Sequence, residues 1–533
     1  MSRHRAPLLL WALVSATACQ RHFVHADADT GAEPSDSGGD GGDSVPPDPC
    51  GITHDLGAEP FVEGDTIQFR IWCSETEAKT QELSLTGAPE NLQFDPTTGN
   101  ATWLTDGRDA GQRDLIVAAL GVSGMPETIV LPLRVVDNPE AANATGPDPA
   151  TYFEEWGLPV MHVTMMGEPT TTDKAAQFTV RGEQVWGEIK KRGATSLAYP
   201  KNSFTLDFDE ELGVDEWEGS TRGHMVLTST FDDNSYVRQK LVYDLWRAMA
   251  DAQGEHRLTP RTFFTVLYIN GEYVGLYLGS DRIDDEFIRH MDMSGDGNLY
   301  KSVTHDANFR LTDEFGETKT DLTLGYEKKE GDDADWSDLE SLIEFTGTAD
   351  GVDVLSDGRN YLDRDEFTDW LLLATYALTE DSVGKNAYFY SDAPGEPFRY
   401  IPWDFNQSWG QAWQTKRKDV DRIPDYTEAN RVFEIIESNP ALTNELKRRY
   451  RALRRPGQPF DPAWLQERLD AYYALIGPSA ARDWDRWGED YSTFFRWAEI
   501  RDDHDDWTDY EGERAYLEGW VAARAGHMDA WAE

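Results

Sequence analysis

The chain has 533 residues, 39% hydrophobic and 12% aromatic, enough to build ordinary apolar cores, and at this length more than one globular unit is expected. Its 49 Lys and Arg stand against 98 Asp and Glu, a formal charge of −49 that repels phosphate backbones and argues against nucleic acid as a partner. The acidity itself is accounted for by solubility or a saline habitat.

The N-terminus has the layout of an export signal. Arg3 and Arg5 form a positive start, Leu8 to Val14 a short apolar run, and Ala16-Thr17-Ala18 a small-residue cleavage site; no other apolar run is long enough to span a bilayer. Cys19 follows directly, as in the lipobox of bacterial lipoproteins, and a lipid on Cys19 would tie the chain to the cell envelope. Ala16 stands where that motif usually has Leu, so ordinary secretion remains the alternative. With Cys19 set aside, Cys50 and Cys73 are an even pair in an oxidising compartment, suited to one disulfide and too few for zinc.

Residues 26–49 are mainly Asp, Gly, Ser and Pro with almost nothing apolar, and 19–49 read as the lipobox Cys and its tether. Over 50–137 apolar and polar residues alternate, as in Thr66-Ile67-Gln68-Phe69-Arg70-Ile71, and turn clusters occur at Pro96–Gly99 and Asp106-Gly107, which predicts a small β-sandwich. The run LQFDPTTGNATW, followed by LPLRVVDN, resembles the Ig- or cadherin-like modules of bacterial surface proteins. Its Asp residues form no complete calcium ligand set and are read as turn formers.

Residues 138–149 (NPEAANATGPDP) read as a second linker, and 150–533 as a larger α+β unit. Strands are predicted at Pro159–Met165, Phe204–Phe208, Phe263–Ile269 and Phe398–Ile401. Val237, Leu241, Val242, Leu245, Trp246 and Met249 fall on one helical face after the capping candidates Asp233, Asn234 and Ser235. Phe367, Trp370, Leu371, Ala374 and Leu378 mark a second long helix, and from Ala463 onward the chain reads as mostly helical.

The sharpest local signal is Asp381-Ser-Val-Gly-Lys-Asn386 at the end of that second helix, followed by a hairpin and Trp403-Asp404-Phe405-Asn406. An Asp, an Asn five positions on and an Asp after a hairpin is the order of a kinase catalytic loop and metal-binding loop. Magnesium prefers hard oxygen ligands, which Asn386 and Asp404 supply, and a separate carboxylate, Asp381, then faces the attacking hydroxyl as base. On spacing alone, Asx turns at a strand–helix junction explain the same residues.

Further segments occur in order: RGATSLAYPKNSFTLDF from Arg192, FDDNSYVRQKLVYDL from Phe231, VLYINGEYVGLYLGSDRIDDEFI from Val266, LYK ending at Lys301, and KNAYFYSD leading to IPWDFNQSWG. Together they resemble the spore-coat CotH kinase family over roughly residues 156–533. The resemblance implies an α+β, atypical protein-kinase-like (CotH) domain behind the small β-sandwich, lacking a Gly-rich phosphate loop and a His-Arg-Asp signature, neither of which occurs here. It implies ATP with Mg2+ or Mn2+, transfer to Ser or Thr of proteins outside the cytoplasm, and Lys201 as the phosphate-contacting lysine, assisted by Arg192 and Lys301. Two positions depart from the family pattern: Asn406 replaces an acid at the end of W-D-F-N, and Asp281 stands where Glu is common. The alternative from another class is a cell-surface binding or structural protein with a catalytically weak or inactive kinase-like fold; transfer to a carbohydrate or small molecule is a third reading.

Overall fold

The computed structural model describes residues 50–74, 83–120, 126–144, 146–213, 220–495 and 509–533. The export signal, Cys19 and the tether lie outside the described residues.

Short alternating runs build the first part. Strands β1 (Ile52–His54), β3 (Thr66–Cys73), β6 (Asn100–Leu104) and β5 (Leu92–Phe94) form one sheet in that order. Strands β2 (Phe61–Val62), β8 (Pro126–Val136), β7 (Gly111–Leu120) and β4 (Leu83–Thr86) form another. Period-two alternation puts Ile67, Phe69 and Ile71 on the inner face of β3, where they join Trp103, Leu115, Val117 and Leu133 in one apolar cluster. Cys50 and Cys73 are disulfide-bonded, with Cα atoms 5.0 Å apart.

The segment read as a second linker, and the strands on either side of it, make several polar contacts. Asn138 donates its backbone N–H and its side-chain amide to Glu63, Gly107 donates to the Ala142 carbonyl, and Arg134 pairs with Glu154 at 2.6 Å.

Beyond it, β9 (Glu154–Glu155), β10 (Leu158–Met165), β11 (Lys174–Val180), β12 (Glu183–Arg192), β13 (Ser203–Gly213), β14 (Thr221–Thr228), β15 (Thr262–Ile269) and β16 (Glu272–Asp281) make an eight-stranded sheet. Its order is β11-β12-β13-β14-β16-β15-β10-β9, and because β10 also pairs with β11 the sheet curls back on itself. Asn270 and Gly271 link β15 to β16, both with positive φ (53° and 82°), as a type I′ hairpin requires. A smaller antiparallel sheet runs β18 (Tyr326–Glu330), β17 (Asn298–Ser302), β19 (Ala387–Ser391), β20 (Arg399–Pro402).

The helices are α1 (Arg238–Asp251), α2 (Asp285–His290), α3 (Ser337–Thr348), α4 (Gly351–Ser356), α5 (Arg364–Ala377), α6 (Arg431–Ser438), α7 (Pro440–Leu453), α8 (Pro462–Thr493) and α9 (Tyr510–Ala532). Leu241, Val242, Leu245, Trp246 and Met249 of α1 are fully buried, as their spacing predicts, and meet Trp370, Leu371 and Ala374 of α5 in the main core. Trp370 stacks on Tyr400 of β20 with ring centroids 4.4 Å apart, fixing α5 against the sheet that carries the hairpin before Asp404. The α1 cap differs from expectation: Val237 occupies the N-cap position, while Asp233 reaches forward to accept from the Arg238 backbone N–H. With helices and strands both abundant in one unit, the class is α+β.

Candidate functional site

The loop carrying Asp381 begins where α5 ends, at Leu378 in the left-handed conformation (φ 53°). Three anchors then fix it. The Trp370 indole donates to the Ser382 carbonyl, the Asn430 amide donates to the Val383 carbonyl, and the Asn386 N–H donates to Ser302 of β17. A Cβ at position 384 would stand 2.9 Å from the Ala429 carbonyl, so only glycine lets the loop pass there. The Ser382 hydroxyl donates to the Asp404 carbonyl at 2.7 Å, which ties this loop to the one that follows β20.

Asn386 and Asp404 both hold positive φ, 57° and 60°. Among non-glycine residues Asn and Asp tolerate this region best, and its use at two facing positions marks over-determined backbone of the kind found at functional sites.

Asp381 is held at both oxygens: Lys385 Nζ pairs with Oδ1 at 2.7 Å and Asn386 Nδ2 donates to Oδ2 at 2.7 Å. Because Asn386 spends its amide nitrogen on Asp381, its carbonyl oxygen remains as an acceptor. The Asp404 carboxylate has no hydrogen-bond or ion-pair partner among the described residues, although its backbone N–H donates to the Tyr243 hydroxyl at 3.2 Å. Burial first and the Asp381 charge second raise the Asp404 carboxyl above the ordinary range, while Arg192, Lys301 and Lys385 oppose that rise.

Arg192, at the end of β12, lies over the Trp403 ring at 5.2 Å, and Lys301, on β17, lies over the Tyr388 ring at 5.6 Å. Burial depresses both basic groups; for Lys301 the neighbouring charges of Arg192 and Lys329 add to the effect. Two cations crowded against each other and, among the described residues, without direct carboxylate partners are poised to receive negative charge from elsewhere.

The sequence reading is therefore brought together at five positions: Arg192, Lys301, Asp381, Asn386 and Asp404. Lys201 is not among them. Its ammonium is 1% exposed and points at Asp483 of α8 (2.8 and 3.0 Å) and the Leu276 carbonyl (2.6 Å), packed over the rings of Tyr277 and Tyr236. All three N–H donors are engaged, tying the β-sheet to α8 by a lysine–acid ion pair, the arrangement in which a protein-kinase lysine meets phosphate. The lysine-pairing acid that could not be read from the sequence is Asp483.

One residue, Asp232, joins the cluster that the motif did not indicate. Asp232 accepts from Tyr199 (3.2 Å) and from the Asn406 amide (2.6 Å), and burial, with the charges of Asp404 and Asp233, pushes its carboxyl up to about 7. Asn406 thus serves as a donor to a carboxylate, a role that an acid at that position could fill only by holding a proton. Of the two tryptophans flanking the loop, Trp409 is wholly core, packed on Tyr376 and Trp520.

Does this donor set suit a divalent cation? No group of three or more His, Cys, Asp or Glu is arranged to hold a metal among the described residues. A partnerless carboxylate (Asp404) and an available amide oxygen (Asn386) are hard oxygen donors, and magnesium commonly takes only one or two protein ligands, completing its shell with phosphate and water. The residues fit that mode.

Comparison with known proteins gives the same direction. The family model described as CotH kinase protein matches residues 189–528. The chain belongs to the CotH kinase family. The inner spore coat protein H of Bacillus subtilis (strain 168) is 26% identical over 300 residues, covering 56% of this chain and 78% of that protein. The CotH match contains every residue of the cluster, from Arg192 to Asn406, and ends within α9. No helix among the described residues is long and apolar enough to cross a membrane.

Proposed function

We propose that this protein is an exported CotH-type kinase that transfers the γ-phosphoryl group of ATP to Ser or Thr hydroxyls of proteins outside the cytoplasm. The observation that carries the proposal is the convergence of Asp381, Asn386 and Asp404 beside Arg192 and Lys301, in a chain whose family is a kinase family. Asp404 and Asn386 are the residues to hold Mg2+ or Mn2+, which when bound neutralises charge on the phosphates. Arg192 and Lys301 add fixed positive charge on one side of the cluster, where it can meet developing negative charge without reorganising. Asp381, steadied by Lys385 and Asn386, accepts the proton of the acceptor hydroxyl as its oxygen bonds to phosphorus and the bond from phosphorus to the ADP oxygen breaks.

Export through the N-terminal signal, with lipidation at Cys19, places the domain at the cell envelope on a tether. The two sheets ahead of it, read as an Ig- or cadherin-like sandwich, serve as a spacer or as a recruiter of substrate.

A second reading is favoured by a specific observation. The relative is named a coat protein, which suits a kinase-like fold kept for binding or structure. Incorporation of labelled γ-phosphate by the purified protein with Mg2+ or Mn2+, tested by autophosphorylation and with a basic Ser-rich acceptor, separates the two. The kinase reading expects label in the parent and none in Asp404→Ala; a folded parent that takes up no label and fails to bind ATP supports the structural reading.

A further inference from the structure

The Asp404 peptide is held on both sides by hydroxyl groups. Its N–H donates to the Tyr243 phenol oxygen at 3.2 Å, and its carbonyl accepts from the Ser382 hydroxyl at 2.7 Å. Tyr243 and Ser382 are both fully buried, and each reaches Asp404 from a different part of the chain. Tyr243 lies in α1, 161 residues earlier in sequence. Ser382 lies beside Asp381 and is itself fixed by the Trp370 indole, which donates to its carbonyl at 3.0 Å.

A grip of this kind answers a conformational problem. At φ 60° Asp404 stands in the left-handed region, which crowds a Cβ against the backbone and persists in a non-glycine residue only where the surroundings hold it. Trp403 and Phe405 on either side are buried whereas Asp404 is part-exposed, so the backbone of this one residue decides where the carboxylate points. The hydroxyl of Tyr243 has the same explanation. Phenylalanine would fill that core position on α1 equally well, and a hydroxyl taken out of water is costly unless it is used. Among the described residues the only hydrogen bond of the Tyr243 oxygen is the one from the Asp404 N–H. Burial first, and the Asp404 charge second, raise the phenol well above its ordinary range, so it stays a neutral hydroxyl and its oxygen keeps accepting.

We infer that Tyr243 and Ser382 are positioning residues for the metal-binding carboxylate: together they fix the Asp404 backbone, and so set how tightly the site holds a divalent cation. Because Ser382 follows Asp381 directly, the same clamp fixes the metal-facing carboxylate relative to the base. The inference rests on the reading of Asp404 as a metal ligand, and metal binding measured apart from transfer tells the failure of one from the failure of the other.

The whole chain and its variants Tyr243→Phe, Ser382→Ala and Tyr376→Phe are titrated with Mn2+ in the presence of ATP, free Mn2+ being followed by electron paramagnetic resonance, and the melting temperature of each is recorded without metal. Expected is Mn2+ binding weakened about tenfold in Tyr243→Phe and in Ser382→Ala, a change of ~1.4 kcal/mol that lies within the usual cost of a buried group losing its hydrogen-bond partner. The Mg2+ concentration for half-maximal label transfer rises by the same factor. Tyr376→Phe removes a buried hydroxyl of α5 that has no hydrogen-bond partner among the described residues, and it leaves both readings unchanged. Should one of the two clamp variants fail to fold, the other decides. Unchanged Mn2+ affinity in a folded clamp variant, even with a lowered melting temperature, assigns the hydroxyl to packing and overturns the inference while the metal reading stands. An equal loss in Tyr376→Phe overturns it as well. A folded parent that takes up neither Mn2+ nor label overturns the metal reading itself, and this inference with it.

Discussion

Replacing Glu513 with Gln removes the centre of a buried charge network that steadies the candidate site from behind. Glu513, 3% exposed on α9, receives Arg238 Nη2 at 2.5 Å and Arg417 at 2.7 and 2.8 Å. Arg238, fully buried at the start of α1, also holds Asp233 and the Ser408 carbonyl, so the network spans α9, the residue next to Asp232 and the loop after Asp404. Burial opposes ionisation of Glu513, but its two arginines win and bring its carboxyl down from 4.5 to about 2. At about 1.4 kcal/mol per unit, that depression corresponds to roughly 3 kcal/mol of folding stability, in line with the ~3–5 kcal/mol typical when one partner is removed from a buried ion pair. Because the folded value lies below the unfolded one, the contribution is complete above pH 4.5 and disappears as pH falls through about 2. Urea denaturation followed by tryptophan fluorescence should show Glu513→Gln less stable by about 3 kcal/mol at pH 7, with the gap to the parent narrowing below pH 4.5 and nearly closed at pH 2. A gap below about 1 kcal/mol at pH 7, the usual value of an exposed pair, or one that persists unchanged to pH 2, refutes the reasoning.

Three further substitutions have defined outcomes. Asn406→Asp places a second carboxylate against Asp232 where a donor now lies 2.6 Å away, so the melting temperature should fall without metal, by the equivalent of about 1–3 kcal/mol, and recover part of that loss with Mg2+; equal loss with and without Mg2+ counts against the site as drawn. Lys201→Met strands Asp483 with only Tyr236 and the Leu276 N–H and should cost ~3–5 kcal/mol in urea denaturation, most of it regained by adding Asp483→Leu; full stability with lost nucleotide binding would instead assign Lys201 to phosphate. Cys50→Ser opens a loop spanning 23 residues in sequence and should destabilise the N-terminal sheets by about 3 kcal/mol while leaving phosphoryl transfer unchanged, as calorimetry and the label assay would show.

Much of the fold was legible because period carries it. The apolar faces of α1 and α5, the alternation in β3, and the Asn270-Gly271 turn are local signals, each decided within a dozen residues. The Asp381–Asn386–Asp404 order was legible for the same reason: one helix end, one hairpin and one loop bring them together in 24 residues. What the sequence hid was long-range. Lys201 finds its acid 282 residues away on α8, and no local pattern distinguishes Asp483 from the other acids of that helix. Asp232 sits in the FDDNSYVRQKL segment, which signals that the stretch matters but not which acid turns toward Asp404. Arg192 and Lys301 were placed by resemblance alone; their meeting depends on β12 and β17, strands of two different sheets.

The most direct test of the central claim measures Mg2+-dependent ATP binding and phosphoryl transfer side by side in the parent, Asp381→Asn and Asp404→Ala. The account predicts that Asp381→Asn still binds Mg2+–ATP within a few-fold of the parent but transfers at least ~100-fold more slowly, the usual cost of losing a general base, and that Asp404→Ala loses metal-dependent binding and transfer together. Transfer that survives in Asp404→Ala, or a folded parent that binds no nucleotide, contradicts it.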